Sequence, residues 1–182
     1  MASPGLREHY GTMARYNTWM NRKVYAAAAT LDDADRRRDL GAFFGSLHGT
    51  LNHLLLTDRA WLVRFTKDAD LFRSLDGSMP ALSGRLDQES YADFPTLRQE
   101  REKTDGDVER WAATLTDAAL AAPIAYYSVA YARPYEHPLW WGVSHFFNHQ
   151  THHRGQATTL LVQLGRDPGA TDLVDLLRNE SA

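Results

Sequence analysis

A chain of 182 residues with 43% hydrophobic side chains is long enough for one domain, spanning 1–182, with a core of its own; it contains no cysteine, which excludes disulfides, thiolate metal sites and a cysteine nucleophile. The formal charge is −3 with acidic and basic residues interspersed, and without a long basic run along a helix a nucleic-acid partner is not expected. No apolar run reaches the roughly 18 residues of a membrane span, and the N-terminus turns charged within a few residues of Met1, so no membrane partner is expected and the default location is the cytoplasm.

Leu6 to about Leu31 reads as a first helix, with Tyr10, Met13, Tyr16, Met20, Val24 and Ala27 at spacings of three and four, before a charged turn around Asp32 to Asp39. A second helix is predicted from about Ala42 to Thr66. Lys67 to Asp93 is rich in Gly, Ser and Asp, contains Pro80 and has little period, so it reads as a long crossover with at most short helical pieces. Pro95 opens a third helix to about Leu115, charged on most faces around Leu97, Val108, Trp111 and Leu115; this suits an outer helix with one apolar stripe and a solvated charged face. Ile124 to Tyr135 is β-branched and aromatic and reads as a short hairpin or extended loop. Pro138 starts a fourth helix to about Leu164, ended by Gly165, and a short helix follows near Asp172 to Arg178. The fold class is therefore all-α: a four-helix bundle with a long crossover between helices 2 and 3, a hairpin or loop before helix 4, and a short C-terminal helix.

The fourth helix carries His145, His149, His152 and His153. Random placement of the chain's eight histidines would give about 0.3 pairs four residues apart, whereas two occur, His145 with His149 and His149 with His153. At about 100° per residue, His149 and His153 share a stripe with Gly142, Phe146, Leu160 and Leu164, whereas His145 and His152 fall nearer its edge. Two imidazoles on one buried face can ligate a metal ion or serve as core histidines bonded to backbone or water. A bundle site needs a partner from a facing helix, and the second helix offers His48, beside Phe44, Leu51 and Leu55, or His53, on a small-residue face with Ser46, Gly49, Thr50, Thr57 and Ala60. Periodicity slightly favours burying His48 and leaves the choice open.

Tyr16-Asn17-Thr18-Trp19-Met20-Asn21, the stretch from Ser46-Leu47-His48-Gly49 through His53 to Asp58-Arg59-Ala60-Trp61, and Phe147-Asn148-His149-Gln150-Thr151-His152-His153-Arg154-Gly155-Gln156 together resemble the DinB family of the DinB/YfiT superfamily. The last block is the most specific. That resemblance implies a four-helix bundle and one divalent metal ion held by His53, His149 and His153, with Zn, Ni or Fe as the foremost candidates; His48 and His152 become packing or supporting residues. It also implies a homodimer and a small-molecule substrate. Characterised relatives include transferases and isomerases that use a low-molecular-weight thiol, which is the partner class carried over.

Three imidazoles leave a coordination position open for water or substrate, the pattern of catalytic sites. Asn52, Asn148, Gln150, Asp58 and Gln156 are the nearby candidates to orient the ligands; Tyr10, Trp19, Trp61 and tyrosines of 124–135 are candidates to line a cavity. Gln150 stands where a helical zinc protease needs a Glu base, and Glu-x-x-His repeats of di-iron bundles are absent, so one metal and no thermolysin-like proteolysis are expected. Two functions compete: a metal-dependent transferase or hydrolase, and a non-catalytic, stress-related metal-binding protein.

Overall fold

The computed structural model describes residues 5–80, 88–128 and 131–181. Its elements are α1 (Leu6–Ala29), α2 (Asp33–Arg37), α3 (Leu47–Thr66), a 3-10 turn (Ala69–Phe72), α4 (Phe94–Ala113), α5 (Asp117–Ala121), strands β1 (Pro123–Ser128) and β2 (Arg133–Pro138), α6 (Leu139–Gln163) and α7 (Leu173–Glu180). The long helices close a ring, with α1 against α4 and α6, and α3 against α4 and α6, as the all-α reading expected. Among the described residues, no helix is long and apolar enough to cross a membrane.

Local signals explain most boundaries. Asp32, Ser46, Asp93 and Thr116 each accept a backbone N–H from the third residue onward, capping α2, α3, α4 and α5. Gly165 ends α6 at φ 72°, and the paired bonds Arg166 N–H to Leu161 O and Gly165 N–H to Val162 O satisfy the last carbonyls in a Schellman arrangement. Between the flanking prolines, β1 and β2 pair antiparallel with Tyr126 opposite Tyr135.

Three expectations are corrected. The second long helix begins at Leu47, not Ala42: Gly41 and Gly45 both adopt φ 72°, and 42–45 forms a tight turn instead. The charged turn around Asp32 to Asp39 holds a short helix, α2, and a second short helix, α5, lies between the third helix and the hairpin, where the sequence reading placed no element. Most consequentially, the charges of α4 are not simply a solvated face, because Glu100, Arg101 and Asp105 are buried.

Those charges belong to a polar layer across the bundle. Above and below it lie two apolar clusters, one around Met20, Val24, Leu51, Leu55, Leu97 and Leu161 and the other around Tyr10, Leu62, Val108, Trp111, Val143 and Phe146. Arg101 of α4 bridges Asp58 of α3 at 2.6 Å and Asp105 at 2.9 Å; Asp105 accepts the side-chain amides of Asn17 and Asn21 of α1 at 3.1 and 2.8 Å. Arg59 pairs with Glu100, and Arg154 of α6 donates to Asn17. Every long helix thus contributes, and each charge has a partner, as burial of ions requires.

Candidate metal centre

At the level of this layer, α3 and α6 run antiparallel and bring His53 against His149 and His153. The ring centroids of His53 lie 5.3 Å from those of His149 and 4.6 Å from those of His153, and His149 and His153 are 4.3 Å apart. One nitrogen from each lies within 4.8 Å of the others, and Nε2 of His53 is 3.4 Å from Nε2 of His149. Nitrogens bound tetrahedrally at about 2.0–2.1 Å from one zinc ion are about 3.4 Å apart, so that edge already has ligand spacing.

The protonation states suit a cation. Burial, reinforced by the neighbouring His153 and His53, pushes His149 down to about 3; burial also lowers His153, so both rings are neutral near pH 7 and keep a lone pair. The Nδ1–H of His153 donates to Oε1 of Gln156 at 2.7 Å, which leaves Nε2 as the free acceptor. The donor set therefore fits a divalent ion, and among the described residues no fourth His, Asp or Glu joins the group.

Phe44 covers the cluster. Its ring stacks on His53 at 3.9 Å and lies 5.4 Å from His153, while Phe43 beside it is 79% exposed. The turn before α3 reaches that position because residue 49 has no side chain: a Cβ on Gly49 would come within 2.4 Å of the Phe44 carbonyl oxygen. Sequence periodicity missed this cover because it placed Phe44 inside the helix; Gly45 followed by the capping Ser46 was the signal for a later start.

His48 is also buried, as its periodicity suggested, but it faces elsewhere, with Nε2 2.8 Å from the Tyr91 carbonyl. His152 is exposed and His145 sits one turn beyond His149, 5.7 Å away. Of the candidate supporting residues, Gln156 holds His153 directly. Gln150 is buried beside Asp58, near enough to favour its ionised form though outside strict hydrogen-bond geometry. Asn52 instead binds the backbone of Tyr91 at 2.9 and 3.1 Å, and Asn148 is exposed. Tyr10 and Trp19 do not line the cluster: Tyr10 bonds Ser144 in the core and Trp19 packs with Tyr16. Trp61 and Tyr126 lie nearer, Trp61 5.1 Å from His145 and 5.3 Å from Tyr126. A cleft of about 560 Å³ between 74–80 and 90–100 includes none of the three histidines in its lining.

A helical bundle with three imidazoles facing one another from two antiparallel helices defines a candidate mononuclear metal-binding protein. The chain belongs to the DinB family, whose model matches residues 1–181. No curated protein and no solved structure matches it.

Proposed function

We propose that this DinB-family protein is a metal-dependent enzyme, in which His53, His149 and His153 hold one divalent ion and a small molecule undergoes thiol transfer or hydrolysis. The carrying observation is an incomplete shell: three imidazoles, with His153 fixed in tautomer by Gln156, and no fourth ligand among the described residues. Structural zinc sites are closed by four protein ligands, whereas catalytic ones keep a position for water or substrate. A divalent ion bound there supplies Lewis acidity, lowering the pKa of a bound water or thiol toward neutrality. The chain's own part is to hold His149 and His153 neutral by burial, to fix His153 through Gln156, and to exclude water from one side with Phe44.

Elemental analysis of the purified, untagged protein tests this beside His53→Ala, His149→Ala and His153→Ala. About one ion per chain in the parent and a loss in all three variants, each with unchanged circular dichroism, supports the site; screening of thiol transfer and hydrolysis then follows. A folded protein that takes up neither zinc, nickel nor ferrous iron overturns it.

A further inference from the structure

Arg64 is an exception among the arginines withdrawn from solvent. Arg36, Arg37, Arg59, Arg101 and Arg154 all donate to carboxylates, carbonyls or side-chain amides. Arg64 is half-buried, and no hydrogen bond or ion pair satisfies it among the described residues. Its guanidinium instead lies over two aromatic rings, 4.6 Å from the centroid of Trp61 and 5.1 Å from that of Tyr126. Stacking holds the planar cation while leaving its in-plane N–H donors free for a fork-like partner. A guanidinium that is partly desolvated and unpaired is unfavourable for the resting protein, which points to an anion supplied from outside.

Its position ties it to the histidine cluster. Arg64 lies eleven residues after His53, three turns along the same face of α3, or about 16 Å along the axis. Side chains lean toward the helix N-terminus, and the intervening contacts are continuous: Arg64 on Trp61, Trp61 on His145, His145 beside His149. On α6 the opposing residue is Gly142, where a Cβ would come within 3.1 Å of Phe65, 3.3 Å of His137 and 3.5 Å of Trp61. The missing side chain lets these aromatic walls converge at the Arg64 end. The nearby Lys67 is already engaged, donating to the Ala125 carbonyl at 3.0 Å.

We infer that Arg64 anchors a carboxylate of the substrate, with Trp61 and Tyr126 as the walls of that subsite and the reacting end of the same molecule at the histidine cluster. The inference rests on the metal-enzyme reading for what happens at the other end. One guanidinium matches the single charge and planar two-oxygen edge of a carboxylate, whereas a phosphate dianion would be left with a charge unbalanced. Subtracting about 6 Å of arginine reach from the axial separation gives a substrate about 10 Å long, the size of a short, partly apolar monocarboxylate.

The test measures binding of 4-phenylbutanoate, its neutral amide and phenyl phosphate by calorimetry, to zinc-loaded and to chelator-stripped protein. The parent is expected to bind the carboxylate at least tenfold tighter than the amide in both forms, as a charge-assisted pair predicts. Arg64→Gln should erase that preference, and Arg64→Lys, which keeps charge but not the fork, should restore only part of it. Arg64→Gln gives up the stacking on Trp61 and Tyr126 but no hydrogen bond or ion pair, so its melting temperature should fall by no more than about 2–4 °C. An undiminished preference in Arg64→Gln, carboxylate binding that vanishes on stripping, failure to bind the carboxylate, or tighter binding of phenyl phosphate each overturns the assignment. A protein that holds no metal yet keeps the Arg64-dependent preference sinks the metal reading and leaves the subsite standing.

Discussion

Replacing Arg101 by Met probes the buried polar layer most directly. Arg101 bridges Asp58 at 2.6 Å and Asp105 at 2.9 Å, with its side chain and both partners at most 4% exposed. Met keeps much of the volume but leaves two buried carboxylates short of a cation, and breaking one side of a buried ion pair costs about 3–5 kcal/mol. For a chain of this length that is a melting-temperature fall of roughly 6–20 °C. The loss must also depend on pH. Burial already raises Asp105 to about 6 and raises Asp58, and removing the guanidinium raises both further. An acid whose folded pKa exceeds its unfolded value contributes stability that is present below the unfolded pKa and lost as pH rises through the folded one. The deficit of Arg101→Met relative to the parent should therefore be largest near pH 8 and shrink toward pH 5, where the carboxyls accept protons. Urea unfolding of metal-free proteins at the two pH values, followed by circular dichroism, reads it directly. The double variant Arg101→Met/Asp105→Asn removes one charge of each sign, keeps an acceptor oxygen for Asn17 and Asn21, and should recover part of the loss. A deficit below about 1 kcal/mol, or one equal at pH 8 and pH 5, refutes the argument that this layer is held by paired buried charge.

Three further outcomes follow from the site. Gln156→Ala removes the acceptor that fixes the His153 tautomer and should weaken zinc binding about 10- to 100-fold in a competitive chelator titration, with little change in helicity; unchanged affinity would show that Gln156 does not orient the ring. Gly49→Ala drives a Cβ to 2.4 Å from the Phe44 carbonyl, so the turn before α3 must move and overpacking should destabilise by about 1–3 kcal/mol, with a faster metal off-rate as Phe44 leaves His53; a variant matching the parent in both refutes the cover. Ser46→Ala deletes the side-chain acceptor for the Gly49 N–H and should cost about 1 kcal/mol in thermal unfolding, with no loss marking the cap as dispensable.

The elements that announce themselves by period or punctuation were readable before any coordinates. Apart from the start of α3, the long helices, the proline-flanked hairpin and the Gly165 stop fall where apolar spacing and turn residues put them, within a few residues. The pair His149 and His153 followed from a shared helical face. His53 did not, because His48 and His53 are both buried and only the direction of each from α3 separates them; the family block supplied that choice. Periodicity also failed on α4, where Glu100, Arg101 and Asp105 look like solvent-facing charges. Their burial depends on Asp58, Arg59, Asn17 and Asn21, partners tens of residues away, and no local pattern encodes such pairing. Arg64 is invisible for the complementary reason: its distinction is a missing partner, which only the packed helices reveal.

The β1–β2 hairpin gives the molecule a division of labour. The three clustered imidazoles stand on α3 and α6, braced by the polar layer, whereas Tyr126 and His137, aromatic neighbours of Trp61 and Gly142, hang on a two-stranded ribbon that gives the core little beyond Ile124 and part of Tyr126. Such a ribbon is only marginally stable by itself and is tethered by few bonds, among them Leu139 N–H to Ala122 O and Lys67 to Ala125. Changes along it can therefore alter the surroundings of Arg64 and Trp61 while the helices keep their register, so this flank can vary at little risk to the histidine cluster.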